Sequence, residues 1–305
     1  MLLAGCGGER GGTAGPAATA TATATTPARS ASLPALCGPL KATVTGRVAT
    51  PAATELSGLV RSRSQPRVLW AHNDSGDDAR VFALTAGGRL LAEIAVSGAE
   101  NVDWEDIAIG PAPGGGDALY VADIGDNDAQ RDEVVVLRVP EPDLAAAVAP
   151  ATRPAERLAL RYPDGAHDAE ALIVDPRSGA LIVVTKSLGG ESGVFSATAP
   201  AAGQTTALRR RGQLDLGVGE AVTAGDVSAD GRTIVLRTYD SAFVWRRGVT
   251  ESVAQALRRP PCSPRDDALL AEGQGETLAL TADGRAFYTV PEGSRPTIRR
   301  HAPAR

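Results

Sequence analysis

No apolar run in these 305 residues reaches the roughly 18 positions that a membrane-spanning helix needs. Any membrane attachment made by these residues is therefore expected to use something other than such a helix. A basic stripe is missing too: the net charge is −5, and Arg209-Arg210-Arg211 is an isolated cluster. Nucleic-acid binding, which normally leaves a basic footprint, is excluded on that ground. Helical periodicity is scarce, and short β-rich runs divided by Gly, Pro and Asp turns take its place, which predicts an all-β chain. There is no Gly-x-Ser-x-Gly elbow, no His-Glu-x-x-His zinc helix and no P-loop. Three histidines occur. His301 is in the tail, where solvation is expected. His72 and His167 stand beside acidic segments and are candidates for acid, base or metal ligand, alongside the simpler role of structural histidines.

Cysteine is nearly as rare, at three residues. Leu3-Ala4-Gly5-Cys6 fits a bacterial lipobox, in which Cys6 is lipidated after signal cleavage. Met1–Gly5 is too short for the charged and apolar regions of a signal peptide, so 1–5 is expected to be the remnant of a longer one. Residues 6–35 then read as a lipidated Cys and a flexible Ala/Thr/Gly/Pro tether, because the segment has almost no large apolar side chain to bury. With Cys6 so assigned, Cys37 and Cys262 remain to form a disulfide in an oxidising compartment. The expected location is extracytoplasmic, with the membrane reached only through lipid.

What the sequence does have is repetition. Val102-Asp103-Trp104-Glu105-Asp106-Ile107-Ala108-Ile109 recurs as Thr54–Val60, His167–Val174 and Gln274–Leu280, with a fainter copy at Ala221–Val227. Aligned on Ser57, Glu105, Glu170, Thr223 and Glu276, the steps are 48, 65, 53 and 53 residues, a spacing suited to units of four strands. Each opener leads to a turn and a second strand, for example Ala118–Ala122 or Leu181–Val184, and then to a third. The fifth unit runs out after its third strand, while Ala42–Val48 stands unassigned ahead of the first. The spacing therefore predicts one β-propeller over 36–303, with five four-stranded blades closed by the N-terminal strand. Six blades are the alternative if Pro140–Arg157 hides a strand pair. Closure would remove open sheet edges and would put Cys37 and Cys262 at the last blade. A monomer is expected.

Residues i and i+2 of a strand share a side, so Asp103 with Glu105, and Asp168 with Glu170, are expected to project together. Glu55 and Glu276 fall in the same register. Ends of second strands return to that face and bring His72-Asn73-Asp74, Asp123, Asp126, Asn127, Lys186, Tyr239 and Glu292. Like charges crowded together need a cation, basic partners or intervening water. Calcium suits carboxylate, amide and carbonyl oxygens. The alternatives are turn-forming Asp and Asn, and acids that tie blades together through backbone N–H groups. Trp70, Trp104 and Trp245 are expected to fill spaces between blades.

Asp103-Trp104-Glu105-Asp106-Ile107-Ala108 and Asp168-Ala169-Glu170-Ala171-Leu172 carry a resemblance to exported bacterial propeller lipoproteins, including the SdiA-regulated and esterase-like-activity-of-phytase families. It spans most of 55–300 and implies a fold more firmly than a substrate. The leading expectation is a lipid-anchored propeller that binds a small molecule or a cell-envelope protein at an acidic channel mouth, through calcium. The alternative implied by the resemblance is a calcium-dependent esterase, lactonase or phosphoesterase, with Glu105 or Glu170 as ligand or base.

Overall fold

Five β-sheets follow one another around a central axis in the computed structural model, which describes residues 34–146 and 152–304 together with Gly8 and Gly11. Blade 1 holds Leu56–Arg61, Leu69–Asn73, Arg80–Leu84 and Leu90–Ser97. Blade 2 holds Trp104–Pro111, Asp117–Asp123, Val134–Pro140 and Glu156–Arg161. Blade 3 holds Ala169–Val174, Leu181–Thr185, Glu191–Ala197 and Arg209–Asp215. Blade 4 has Val222–Val227, Thr233–Thr238 and Ala242–Arg246. Blade 5 has Ala279–Leu280, Phe287–Thr289 and Thr297–Pro303, and its outer strand is the N-terminal Leu40–Arg47. That last pairing is antiparallel, from Leu40 opposite Pro303 to Arg47 opposite Thr297. The ring is closed as the unassigned strand predicts.

The first strand of each blade lines the axis, and every junction between blades has its own apolar filling. Trp70 and Trp104 fill the space between blades 1 and 2, and Tyr120 and Phe195 that between blades 2 and 3. Trp245 serves blades 3 and 4. Leu36 and Phe287 serve blades 4 and 5, and Phe82 and Ile298 close the circle. The indole N–H groups find acceptors: Trp70 donates to Glu141 Oε1 (2.9 Å), Trp104 to Glu100 O (3.0 Å) and Trp245 to Arg259 O (2.7 Å). Each large side chain so buried contributes about 2–3 kcal/mol.

Pro140–Arg157 hides no strand pair among its described residues. Its one short strand, Thr152–Pro154, runs parallel to Ala95–Ser97 and covers the edge of blade 1. Thr206–Ala207 does the same for blade 2 beside Leu160–Arg161. Blade 4 has three strands, and Cys262 completes its edge through a bridge to Val244. The Cys37–Cys262 disulfide, with Cα atoms 5.5 Å apart, therefore joins the edge of blade 4 to the strap that enters blade 5. It closes a span of 225 residues, worth about 5 kcal/mol in the chain-entropy account.

His301 corrects the expectation of a solvated tail. The third strand of blade 5 continues past Arg300 to Pro303, so this ring is fully buried, stacked on Phe287. Its Nδ1 contacts Asp266 Oδ2 (2.5 Å) and its Nε2 contacts Thr289 Oγ1 (2.8 Å). Residues 1–5, Cys6 and most of the 6–35 tether lie outside the described residues.

Candidate functional site

Register breaks at the same place in four blades. Leu56 faces Asn73 but Gly58 faces His72; Trp104 faces Asp123 but Asp106 faces Ala122. Ala169 and Ala171 repeat the pattern against Thr185 and Val184, as do Val222 and Ala224 against Thr238 and Arg237. The extra residues are Ser57, Glu105, Glu170 and Thr223, the positions that align in the sequence. A bulge twists the strand and re-aims the extra side chain. Simple alternation, the reason given for pairing Asp103 with Glu105 and Asp168 with Glu170, is thus replaced by bulges: the strands begin only at Trp104 and Ala169.

Two bulge residues serve the fold. Ser57 Oγ donates to the Glu105 carbonyl (2.6 Å), and Thr223 Oγ1 donates to the Gly275 carbonyl (3.0 Å), so each ties its blade to the next. The other two bulges present Glu105 and Glu170, both buried.

Glu105 belongs to a tight trio. Ligand oxygens of Asp74, Asp103 and Glu105 lie within 4.8 Å of one another. Asp74 follows the second strand of blade 1, its N–H bound to Glu55 O (2.7 Å). Asp103 is fixed by its N–H to Asp123 Oδ1 (3.3 Å) and by its carbonyl, which accepts from Gly125 N (3.2 Å). Gly125 is glycine because of this approach: a Cβ there would collide with Glu105 Oε1 and Asp103 Oδ2. Among the described residues no basic group lies within 4.0 Å of the trio's oxygens.

Crowding shows in the protonation. Burial, then Glu170, Asp74, Asp103 and Glu276, push Glu105 up to about 11. Burial, then Asp74 and Asp168, push Asp103 up to about 6, against the pull of Arg131. Glu170 rises to about 8 through burial although Lys186 opposes the shift. Lys186 bonds Glu170 Oε1 and stands over the Tyr239 ring, while Glu170 Oε2 is buried without a hydrogen-bond partner. Glu292 rises to about 8 through burial and its pairing with Glu276.

The remaining candidates divide. Six carboxylates do not share one centre: Glu55 is exposed, Asp168 Oδ1 accepts from Asp126 N (2.9 Å), and Glu276 pairs with Glu292. Asp123 pairs with Arg131 (2.9 Å). Asp126 caps its own turn through Gln130 N and Arg131 N, and Asn127 is exposed. Asn73 spends its amide on Ala52 O, Asp77 and Glu55 N. His72 is fully buried against Trp104, with Nδ1 at Asn73 O (2.8 Å), and burial lowers its pKa. His167 contacts Asp164 (2.9 Å) at the rim, packed on Tyr162 and Phe195.

Sequence reasoning missed Asp106, which occupies a variable position of the repeat. It is fully buried and accepts from Ile107 N (2.8 Å), Leu172 N (2.9 Å) and Gly225 N (3.2 Å), so one carboxylate fastens blades 2, 3 and 4. Asp226 does the same for blades 4 and 5 through Val227 N and Leu280 N.

A pH dependence follows. His72, its pKa lowered by burial, adds only slightly to stability above pH 6.5, as the unfolded imidazole, half-protonated there, loses its remaining proton. The carboxyls raised in the folded state, Glu105, Glu170 and Glu292, stabilise it fully only below their unfolded values, near 4. That stability is lost as pH rises through the folded values. Melting in EDTA at pH 8.5 should fall roughly 3–5 °C below that at pH 6.5, after discounting for solvent screening. An equal or higher melting temperature at pH 8.5 would contradict the crowding.

No family model matches the chain, and no curated protein matches it. Several solved structures resemble it. The PQQ-bound aldose sugar dehydrogenase of Streptomyces coelicolor is 11% identical, with TM-score 0.48, covering 86% of this chain and 98% of that one. A putative 6-phosphogluconolactonase of Bacteroides uniformis is 14% identical, with TM-score 0.41, over 84% and 68%. The β-propeller domain of Myceliophteria thermophila Cps50 (Swd1) is 12% identical, with TM-score 0.43, over 85% and 88%. The similarity is one of architecture: these are β-propeller proteins, and so is this chain.

Proposed function

We propose that the protein is an exported, lipid-anchored binding propeller, of the kind its repeat motifs resemble, and that it holds calcium at the Asp74–Asp103–Glu105 trio. A small molecule or cell-envelope protein would bind there through the ion. The observation that carries the reading is the trio itself: three carboxylates within 4.8 Å, without a basic partner among the described residues. The donor set is all oxygen, which suits a hard cation rather than zinc or copper. Gly125 keeps the space open, and Glu170, whose buried Oε2 has no hydrogen-bond partner, adds to the negative charge felt at Glu105. A bound cation would supply the missing counter-charge and a point of attachment for ligand oxygens. Calorimetric titration of EDTA-treated protein with calcium tests the reading, and no heat at millimolar calcium would reject it.

The hydrolase reading keeps one specific support, the Glu170–Lys186–Tyr239 group, whose Glu170 is electrostatically coupled to Glu105. Turnover of a model ester, lactone or phosphoester that needs calcium and disappears in Glu170→Gln would favour it over the binding module.

Anchoring rests on Leu3-Ala4-Gly5-Cys6 and the tether composition. Labelling cells with a palmitate analogue should mark the expressed precursor, with its signal peptide, and Cys6→Ser should lose the mark and the membrane fraction. Persistence of both in the variant would end this part of the proposal.

A further inference from the structure

Opposite the acidic mouth, the turns joining first to second strands carry Arg63, Arg67, Arg177, Arg232 and Arg285. A groove of about 480 Å³ opens on the blade 3 side of this half of the molecule, next to the helix Val253–Leu257. Arg210, Arg211 and Arg258 line it, together with Ser178, Ser196 and Thr198. Its one carboxylate, Asp175, is already neutralised by both Nη groups of Arg247 (2.7 and 2.8 Å). In a chain of net charge −5, this is a local excess of guanidinium.

Placement of these groups is specific. In the outer edge of blade 3, Val194 faces Gly212 while Phe195 faces Arg210, so Arg211 is the extra residue of a bulge. Its Nε donates to Ser196 Oγ (2.6 Å), and its two Nη groups have no partner among the described residues. Anchoring a guanidinium by Nε leaves its terminal N–H groups available as a fork. Arg258 caps the helix, and its Cγ lies 3.6 Å from where a Cβ on Gly212 would stand, so the stem packs on that glycine. Among the described residues its guanidinium has no hydrogen-bond or carboxylate partner either. Arg210 is shared with Asp164 (2.8 Å) and supplies a third charge.

We infer that this groove binds a tetrahedral oxyanion, a phosphate or phosphate-ester group, between Arg211 and Arg258, with the Ser196 and Thr198 hydroxyls as further donors. Two forks with free N–H pairs match the oxygens of such a group, which a carboxylate-poor, hydroxyl-lined wall does not repel. The inference is independent of the calcium proposal, which concerns the opposite face of the ring.

Titration with inorganic phosphate, in EDTA and at ionic strength held constant with chloride, tests it by amide chemical shifts. Shifts at Ser196, Arg211 and Arg258 are expected to saturate at millimolar phosphate. Arg211→Gln and Arg258→Gln should each weaken binding by about tenfold. Arg211→Lys, which keeps charge but not the fork, should weaken it similarly, and all three should fold with unchanged calcium response. A second arm uses vesicles of phosphatidylglycerol in phosphatidylcholine against phosphatidylcholine alone. Saturable phosphate binding assigns the group to a soluble ligand, and Arg211-dependent binding to phosphatidylglycerol vesicles alone assigns it to a lipid headgroup. Absence of both, or binding untouched by the glutamine variants, overturns the inference.

Discussion

Calcium at a hundredfold excess over Kd should raise the melting temperature of the wild-type protein by roughly 5–8 °C, and Glu105→Gln should abolish that gain. The same substitution should leave the metal-free protein at least as stable as wild type. The opposite signs follow from the state of the carboxyl. Without a cation, burial and the neighbouring Glu170, Asp74 and Asp103 keep Glu105 protonated. A glutamine amide has nearly the shape of a protonated carboxyl, so little is lost. With a cation the carboxylate is needed, and an amide oxygen supplies a dipole where a charge stood. Asp103→Asn should reduce the calcium gain in the same way, while Asn127→Ala, on an exposed residue outside the trio, should not. Loss of melting temperature in metal-free Glu105→Gln comparable to the calcium gain would mean that Glu105 is a structural acid, and the binding reading would go with it.

The fold was legible because a propeller writes itself into the sequence five times. Core positions such as Ile107 and Leu172 must alternate on a strand, and turns such as Ser228-Ala229-Asp230-Gly231 must reverse it, so the register survives divergence. The unpaired Ala42–Val48 had one place to go. What sequence cannot reveal is where pairing slips by a residue. Glu105, Glu170, Ser57 and Thr223 align in one column, yet all four are bulged, and no local composition distinguishes a bulge from regular strand there. Side-chain economy was equally hidden. Asp123, Asp126 and Asn73 looked like ligands because of their type, whereas they are engaged by a guanidinium, a turn and a carboxylate respectively. His301 misled because the last strand is held by the first, with Ala42 opposite His301, far outside any sequence window.

Asp106 and Glu105 are neighbours in the chain with opposite duties, and mutation should separate them. Asp106→Ala should cost about 3–5 kcal/mol, read as a fall of about 10 °C in melting temperature. Those of the N–H groups of Ile107, Leu172 and Gly225 that bond only the carboxylate would stay buried without an acceptor. Oδ2 serves Leu172 and Gly225, and Oδ1 serves Ile107. Asp106→Asn should therefore lose less, because its carbonyl can keep the first pair while its NH₂ meets the Ile107 N–H. Asp226→Ala, which frees two N–H groups instead of three, should fall between wild type and Asp106→Ala. Burial pushes both carboxyls up, and backbone donors from adjoining blades work against that, so these acids act as fasteners rather than as a proton store. Calcium should still stabilise Asp106→Asn by the wild-type increment, since its oxygens face amides and not the trio. If Asp106→Ala melts within 1 °C of wild type, the blades are held by their apolar junctions alone and the fastening role is wrong. If Asp106→Asn instead loses the calcium gain, Asp106 and the trio form one site, and the division between fastener and ligand within Asp103-Trp104-Glu105-Asp106 fails.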